Sequence, residues 1–99
     1  MSPRPILMRK ISFEPGATYF KPAGVPLRSL EEVSVSFEEI ESLRLTQLKG
    51  LSQSDSAEKM NISQPTFNRV FNSAVKKVSD ALVNGKAIKI EGGNYEKKK

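Results

Sequence analysis

The 99-residue chain contains neither cysteine nor histidine, which removes disulfides, thiolate metal sites, cysteine nucleophiles and histidine general bases before any motif is read. A chain of this length buries one modest core, so a single compact domain is expected, with a homodimer as a way of burying more surface. The net charge of +5 is unevenly spread: residues 1–30 carry +4, residues 31–63 carry −4 and residues 64–99 carry +5. Basic ends around an acidic middle suit a protein that turns one face toward phosphates, although mixed charge also serves solubility alone. Met1 is followed by Ser-Pro-Arg-Pro, and nowhere do about twenty apolar residues stand together, so no membrane span and a cytoplasmic location are expected.

In chain order, residues 2–5 read as an extended arm. Ile6–Phe13 has β-branched and aromatic residues in partial alternation, and Glu14-Pro15-Gly16 signals a turn into Ala17–Phe20, which together predict a short hairpin. Lys21–Pro26 holds two prolines and a glycine and reads as a rigid connector leading to Arg28–Val35. Residues 1–35 thus form a basic arm and hairpin.

Ser36 and Glu39 form a capping box that opens a helix from about Phe37 to Leu48, closed by Gly50. On an angular count Arg44 falls inside the apolar arc of that helix and so needs a partner, for which Glu58 is the candidate. Ser52 and Asp55 repeat the capping pattern for a short second helix ending near Met60. Asn61-Ile62-Ser63 makes the turn, because Asn tolerates the left-handed conformation. Ser63 caps a third helix with Pro65 in its first turn. There Phe67, Val70, Phe71, Ala74, Val75, Val78, Ala81 and Leu82 keep a 3.6-residue period until Asn84-Gly85. Residues 36–85 are the helical unit. Residues 86–99 are a short strand, Lys86–Glu91, able to pair with the hairpin, and then a basic tail.

The constellation is that of a helix-turn-helix, with Ala57 the small residue at the crossing and Ile62 the apolar plug. Counting from Phe67, Pro65, Arg69, Asn72 and Lys76 fall at about 140–200°, opposite the apolar arc, with Ser73 near 240°. Arg69 suits guanine O6 and N7, Asn72 suits adenine N6 and N7, and Gln64, Thr66 and Asn68 are further base-edge or phosphate candidates. Lys76 and Lys77 suit phosphates, as do Ser63 and the N–H groups of Gln64 and Thr66 at the helix start. Arg4, Arg9 and Lys10 are candidates for an arm entering a groove. Any amphipathic helix has a solvated side, but here a helix, a turn and a cap precede it in the required order.

Tyr19 and Phe20 beside Lys21 suggest base stacking, yet two aromatics in a small hairpin belong more often to a core. Glu38, Glu39 and Glu41 resemble a catalytic carboxylate cluster, but at a helix start acids are favoured by the dipole alone. No enzyme activity, cofactor, metal or small-molecule ligand is expected.

EEIESLRL, GLSQSDSAEKM, the turn into SQPTFNRV, and GKAIKIEGG, in that order and spacing, resemble the UPF0251 (DUF134) family of predicted DNA-binding proteins. The similarity extends to RPILMRKISFEP and YFKPAGVPL and so covers nearly the whole chain. Its centre is similar to region 4 of sigma-70 type factors. The chain departs from the family pattern at Met8, where many members have cysteine, and at Asn61, where glycine is commoner. The resemblance implies a DNA-binding role. The expectation is therefore a mainly α domain, a three-helix core with a small β element, binding double-stranded DNA as a transcriptional regulator. The alternative is a module that contacts transcription machinery with little DNA contact, which would show an exposed apolar patch. RNA binding is a weaker third reading.

Overall fold

A computed structural model describes residues 15–92 in full and the backbone of residues 9–11 and 95–97. Its strands are β1 (Arg9–Ile11), β2 (Tyr19–Phe20), β3 (Glu32–Val35), β4 (Ala87–Ile90) and β5 (Tyr95–Lys97). The helices are α1 (Phe37–Leu43), α2 (Gln53–Lys59) and α3 (Gln64–Asn84). The architecture is mainly α with a small β element. The extended arm of residues 2–5 and the turn at Glu14 lie outside the described residues.

The hairpin expected at the amino terminus is replaced by two separate ladders. β1 pairs in parallel with β5, Arg9 opposite Tyr95 and Ile11 opposite Lys97. Residues 95–97, read from sequence as tail, are thus a strand. β2 instead pairs antiparallel with β4, in the three-stranded order β2-β4-β3. β3 runs parallel to β4 with Val35 opposite Ile90. A parallel pair needs a long crossover, and here α1, α2 and α3 supply it. Val35, Ala87 and Ile90 are buried, so the sheet closes one end of the helical unit rather than standing apart from it.

Each helix begins as its capping residues dictate. The Ser36 hydroxyl accepts from the Glu39 N–H at 3.1 Å while the Glu39 carboxylate accepts from the Ser36 N–H at 2.8 Å, completing the capping box. Ser52 accepts from the Asp55 N–H, and Ser63 from the Thr66 N–H at 3.2 Å. The first helix does reach Leu48, but residues Arg44–Leu48 form a π-helical turn, with the Lys49 N–H donating to the Arg44 carbonyl. Two hydroxyls lean on that stretch, Ser42 donating to the Glu39 carbonyl and Thr46 to the Ser42 carbonyl. Such bonds loosen the regular ladder, and a widened turn results.

Arg44 does need a partner, but the carboxylate that holds it is Glu41, not Glu58. Its guanidinium donates to both Glu41 oxygens, at 2.9 and 3.0 Å. Glu41 is deeply buried and Glu58 exposed, so the pair forms one turn back along the same helix. The neighbouring carboxylate raises the Arg44 pKa further, against the opposing effect of burial.

The core cluster joins Leu45, Ala57, Met60 and Phe67, with Leu51, Ile62 and Phe71 packed against it. Ala57 thus occupies the helix crossing and Ile62 the underside of the turn, as their spacing predicts. Asn61 takes φ 61°, the left-handed conformation that lets α2 stop and α3 start with four residues between them. Gly85 repeats the device at the far end of α3, with φ 67° and its N–H on the Ala81 carbonyl.

Candidate nucleic-acid interface

The first half of α3 carries most of the sequence-derived candidates, and its start is fixed by local chemistry. Ser63 caps it, and Pro65 lies within its first turn, where a missing N–H costs nothing. The Ser63 hydroxyl also donates to the Thr66 hydroxyl at 2.9 Å, which in turn accepts from an Arg69 Nη2 at 3.4 Å. Arg69 is exposed, and this contact steadies its planar fork beside the helix start.

Pro65, Arg69, Asn72 and Lys76 are exposed and share one side of α3, and Gln64 is exposed at its first position. The structure separates other candidates from them. The Ser73 hydroxyl donates to Glu39 Oε2 at 2.5 Å and the Lys77 ammonium to Glu39 Oε1 at 3.1 Å. Both side chains therefore turn toward α1 and hold it. Thr66 is partly buried and its N–H is used by the cap, which takes it out of any phosphate-binding role for that group. Asn68 is also partly buried, with Oδ1 enclosed and without a hydrogen-bond partner among the described residues.

Glu39 is the centre of this arrangement and answers the carboxylate-cluster question. Burial pushes its pKa up, but hydrogen bonds from Ser73, the Ser36 N–H and Lys77, with the charge of Lys77, outweigh that and hold it below the usual glutamate range. Those contacts tie α1 to α3. The first acid on α3, Asp80, is engaged by Asn84 at 2.6 Å and Lys86 at 3.0 Å, which lower its pKa in that order. The basic character of the helix face before it is undiluted.

Of the arm candidates, Arg4 lies outside the described residues. Arg9 and Lys10 lie in β1 opposite Tyr95 and Glu96, so their backbone belongs to a ladder and not to a loose arm. Phe20 is not core: it is half exposed, while the Tyr19 hydroxyl donates to Glu32 at 2.7 Å. That bond raises the Tyr19 pKa.

Two features escaped sequence reading. Val75 and Leu82, assigned to the apolar arc, are exposed. They sit on one margin of that arc, which no other described element covers. Arg44, Lys49 and Lys59 also converge around a cleft of about 440 Å³ floored by Leu45 and Leu51. The negative average charge of residues 31–63 conceals these three cations, although each was visible singly.

A three-helix unit with a capped, basic-faced third helix and a small sheet closing its base defines the class of fold. Residues 1–98 match the family described as "Protein of unknown function DUF134", and the chain belongs to that family. A UPF0251 protein of Moorella thermoacetica is 59% identical over 93 residues, covering 94% of this chain and 62% of that protein. UPF0251 proteins of Desulforudis audaxviator and Dehalococcoides mccartyi are each 56% identical, over 94% and 95% of this chain. They are covered to 61% and 80% of their own lengths. The chain thus spans under two thirds of the Moorella and Desulforudis proteins. No solved structure matches it. Among the described residues, no helix is long and apolar enough to cross a membrane.

Proposed function

We infer that α2, the Asn61 turn and α3 act as a helix-turn-helix that reads duplex DNA, serving transcriptional regulation. The observation that carries this reading is the outer face of α3. Pro65, Arg69, Asn72 and Lys76 are exposed together on one side, with Gln64 exposed at the capped helix start and no acid before Asp80. A major groove accepts a helix end of this kind, and the side chains have the donors and acceptors that base edges require. Arg69 and Asn72 take the base contacts, and Lys76 a phosphate. Ser73, Lys77 and Thr66 brace the helix instead.

The test is fluorescence anisotropy with random duplex DNA over a salt series, followed by selection of preferred sequences. Affinity must fall with salt with a logarithmic slope of about 0.9 per phosphate contacted. No binding, or binding that ignores salt, refutes the reading. Arg69→Ala then costs about 1–3 kcal/mol on the preferred site and relaxes one base position, whereas Lys76→Ala weakens all sequences alike. Identical behaviour of the two variants removes the assigned roles even if binding survives.

A second reading, a module that binds other proteins, draws support from the exposed apolar side chains Val75, Leu82 and Val83. Leu82 and Val83 lie beyond Lys76 on the last turns of α3, so the two activities need not compete for one surface.

A further inference from the structure

The solvent side of α3 changes character along its length. One side presents Pro65, Arg69, Asn72 and Lys76, while Val75, next to Lys76, and Leu82 and Val83 on the last turns are 41%, 75% and 80% exposed. The margin of the helix adds Phe71 and Val78, both partly buried, at spacings of four and three residues from Val75. That is the spacing of a helix–helix seam. Beyond the helix, Leu82 borders a groove of about 340 Å³ whose other walls include Phe20, Pro22 and Ile88. Phe20 itself is 52% exposed. The apolar surface therefore continues from the helix onto the sheet.

We propose that this surface, centred on Leu82 and Val83, is the interface of a twofold-symmetric dimer, its occupant a second copy of the same chain. The inference rests on the DNA-reading role only for its biological purpose, since the physical argument stands on area and charge. A large apolar side chain offers roughly 150–200 Å² when fully exposed. Phe20, Val75, Leu82 and Val83 at their observed exposures then present about 400 Å² of apolar surface. Interfaces are roughly 57% apolar, so with the polar rim supplying the remainder the footprint would be about 700 Å² per partner. That approaches the roughly 800 Å² per partner of a stable complex.

The rim selects a like partner. Lys86 lies between Asp80 at 3.0 Å and Glu31 at 3.5 Å, with Lys21 on the same groove. A rim of mixed sign gives no advantage to a strongly acidic or basic partner. Under twofold symmetry it can set cation against anion in both directions. The centre of the seam lies six and seven residues beyond Lys76, and Phe71 and Val75 fall at about 40–80° on the angular count from Phe67, off the side of Arg69 and Asn72, so pairing leaves those two open on both copies.

Sedimentation equilibrium of the full chain without DNA, from about 1 to about 200 µM, tests this. Wild type is expected to be dimeric with a dissociation constant in the low micromolar range. Leu82→Asp should raise that constant at least 100-fold, and Val83→Asp should do so in parallel. Both side chains are exposed, so far-UV circular dichroism should be unchanged, and the second variant serves if the first misfolds. Leu48→Asp, at a residue 81% exposed on a different element, should leave the dimer intact. A wild type that stays monomeric throughout overturns the proposal. So does a dimer indifferent to both substitutions on α3, or one weakened equally by Leu48→Asp. Because no DNA is present, these results are independent of the salt series, whose failure would remove the reading role alone.

Discussion

Glu39→Gln isolates the contact that holds α1 against α3. In the native protein the carboxylate receives the Ser36 N–H at 2.8 Å, the Ser73 hydroxyl at 2.5 Å and the Lys77 ammonium at 3.1 Å. Glutamine keeps one acceptor oxygen but sets an N–H₂ where the other stood, so at least one of the three donors loses its partner. A hydrogen bond to a charged group contributes about 1.5–3 kcal/mol. The Lys77 ammonium is 38% exposed and returns to water, which limits its share to about 0.5–1 kcal/mol. The net expectation is a loss of about 2 kcal/mol at neutral pH, or a fall in Tm of about 8–16 °C for a domain this small. The pH dependence supplies an independent check. The folded-state pKa of Glu39 is depressed, so its contribution is present above the unfolded value of about 4.3 and is lost as pH falls through the folded value. Urea titrations of wild type and variant should differ fully at pH 7 and converge in acid. A gap under about 0.5 kcal/mol at pH 7, the size expected for an ordinary surface change such as Glu58→Gln, would refute the reasoning. A gap that persists unchanged at pH 3 would refute the charge assignment.

Two further substitutions probe the turn and the core. Asn61→Val forces a β-branched residue into the left-handed region and should cost about 1–2 kcal/mol, while Asn61→Gly stays within about 0.5 kcal/mol, both by chemical denaturation; equal effects would mean the turn angle is not enforced. Phe67→Ala empties the centre of the cluster formed by Leu45, Ala57 and Met60 and should cost about 3–5 kcal/mol, so a loss under 1 kcal/mol by the same titration would locate the core elsewhere.

Local signals and distant pairings differed in legibility. Ser36, Ser52 and Ser63 each announced a helix start, because a cap acts through a backbone N–H three residues away and the sequence contains both partners. The turn at Asn61 was legible for the same reason. β3 was missed although Val33 and Val35 alternate with Glu32 and Ser34. Its partner lies more than fifty residues away, and four residues in parallel register with β4 carry no local mark. The hairpin error is the converse. Pro15-Gly16 is a sound turn signal, but β2 found its antiparallel partner in β4, and β1 found a parallel one in β5.

Within the candidate site, residue type was a poorer guide than the neighbouring helix. Ser73 and Lys77 were plausible DNA contacts on an angular count that treats α3 in isolation. Glu39, placed beside them by the packing of α1, claims both. The same count placed Val75 and Leu82 in the core, since it records where apolar residues lie on a helix but not how far the covering elements reach. Leu82 stands open on the last turns of α3, and Val75 stands open even between Ser73 and Lys77, which bind Glu39 of α1.

The length of α3 then acquires a use. Its 21 residues span about 31 Å, more than groove reading requires. Its inner side is divided between the Phe67 cluster and the Glu39 contact, and its outer side between a polar first half and an apolar second half. With the proposed twofold axis at Leu82 and Val83, two copies of Arg69 stand about 13 residues from the axis on either side, about 40 Å apart at 1.5 Å per residue along antiparallel helices. Consecutive half-sites on one face of B-form DNA lie about 34–36 Å apart. In the proposed dimer the length of α3 sets the separation of the two reading ends. A polar second half would leave nothing to hold them in register. If both proposals hold, the apolar residues at 75, 82 and 83 are the counterpart of the polar ones at 65, 69, 72 and 76, and the length of the helix serves both sets.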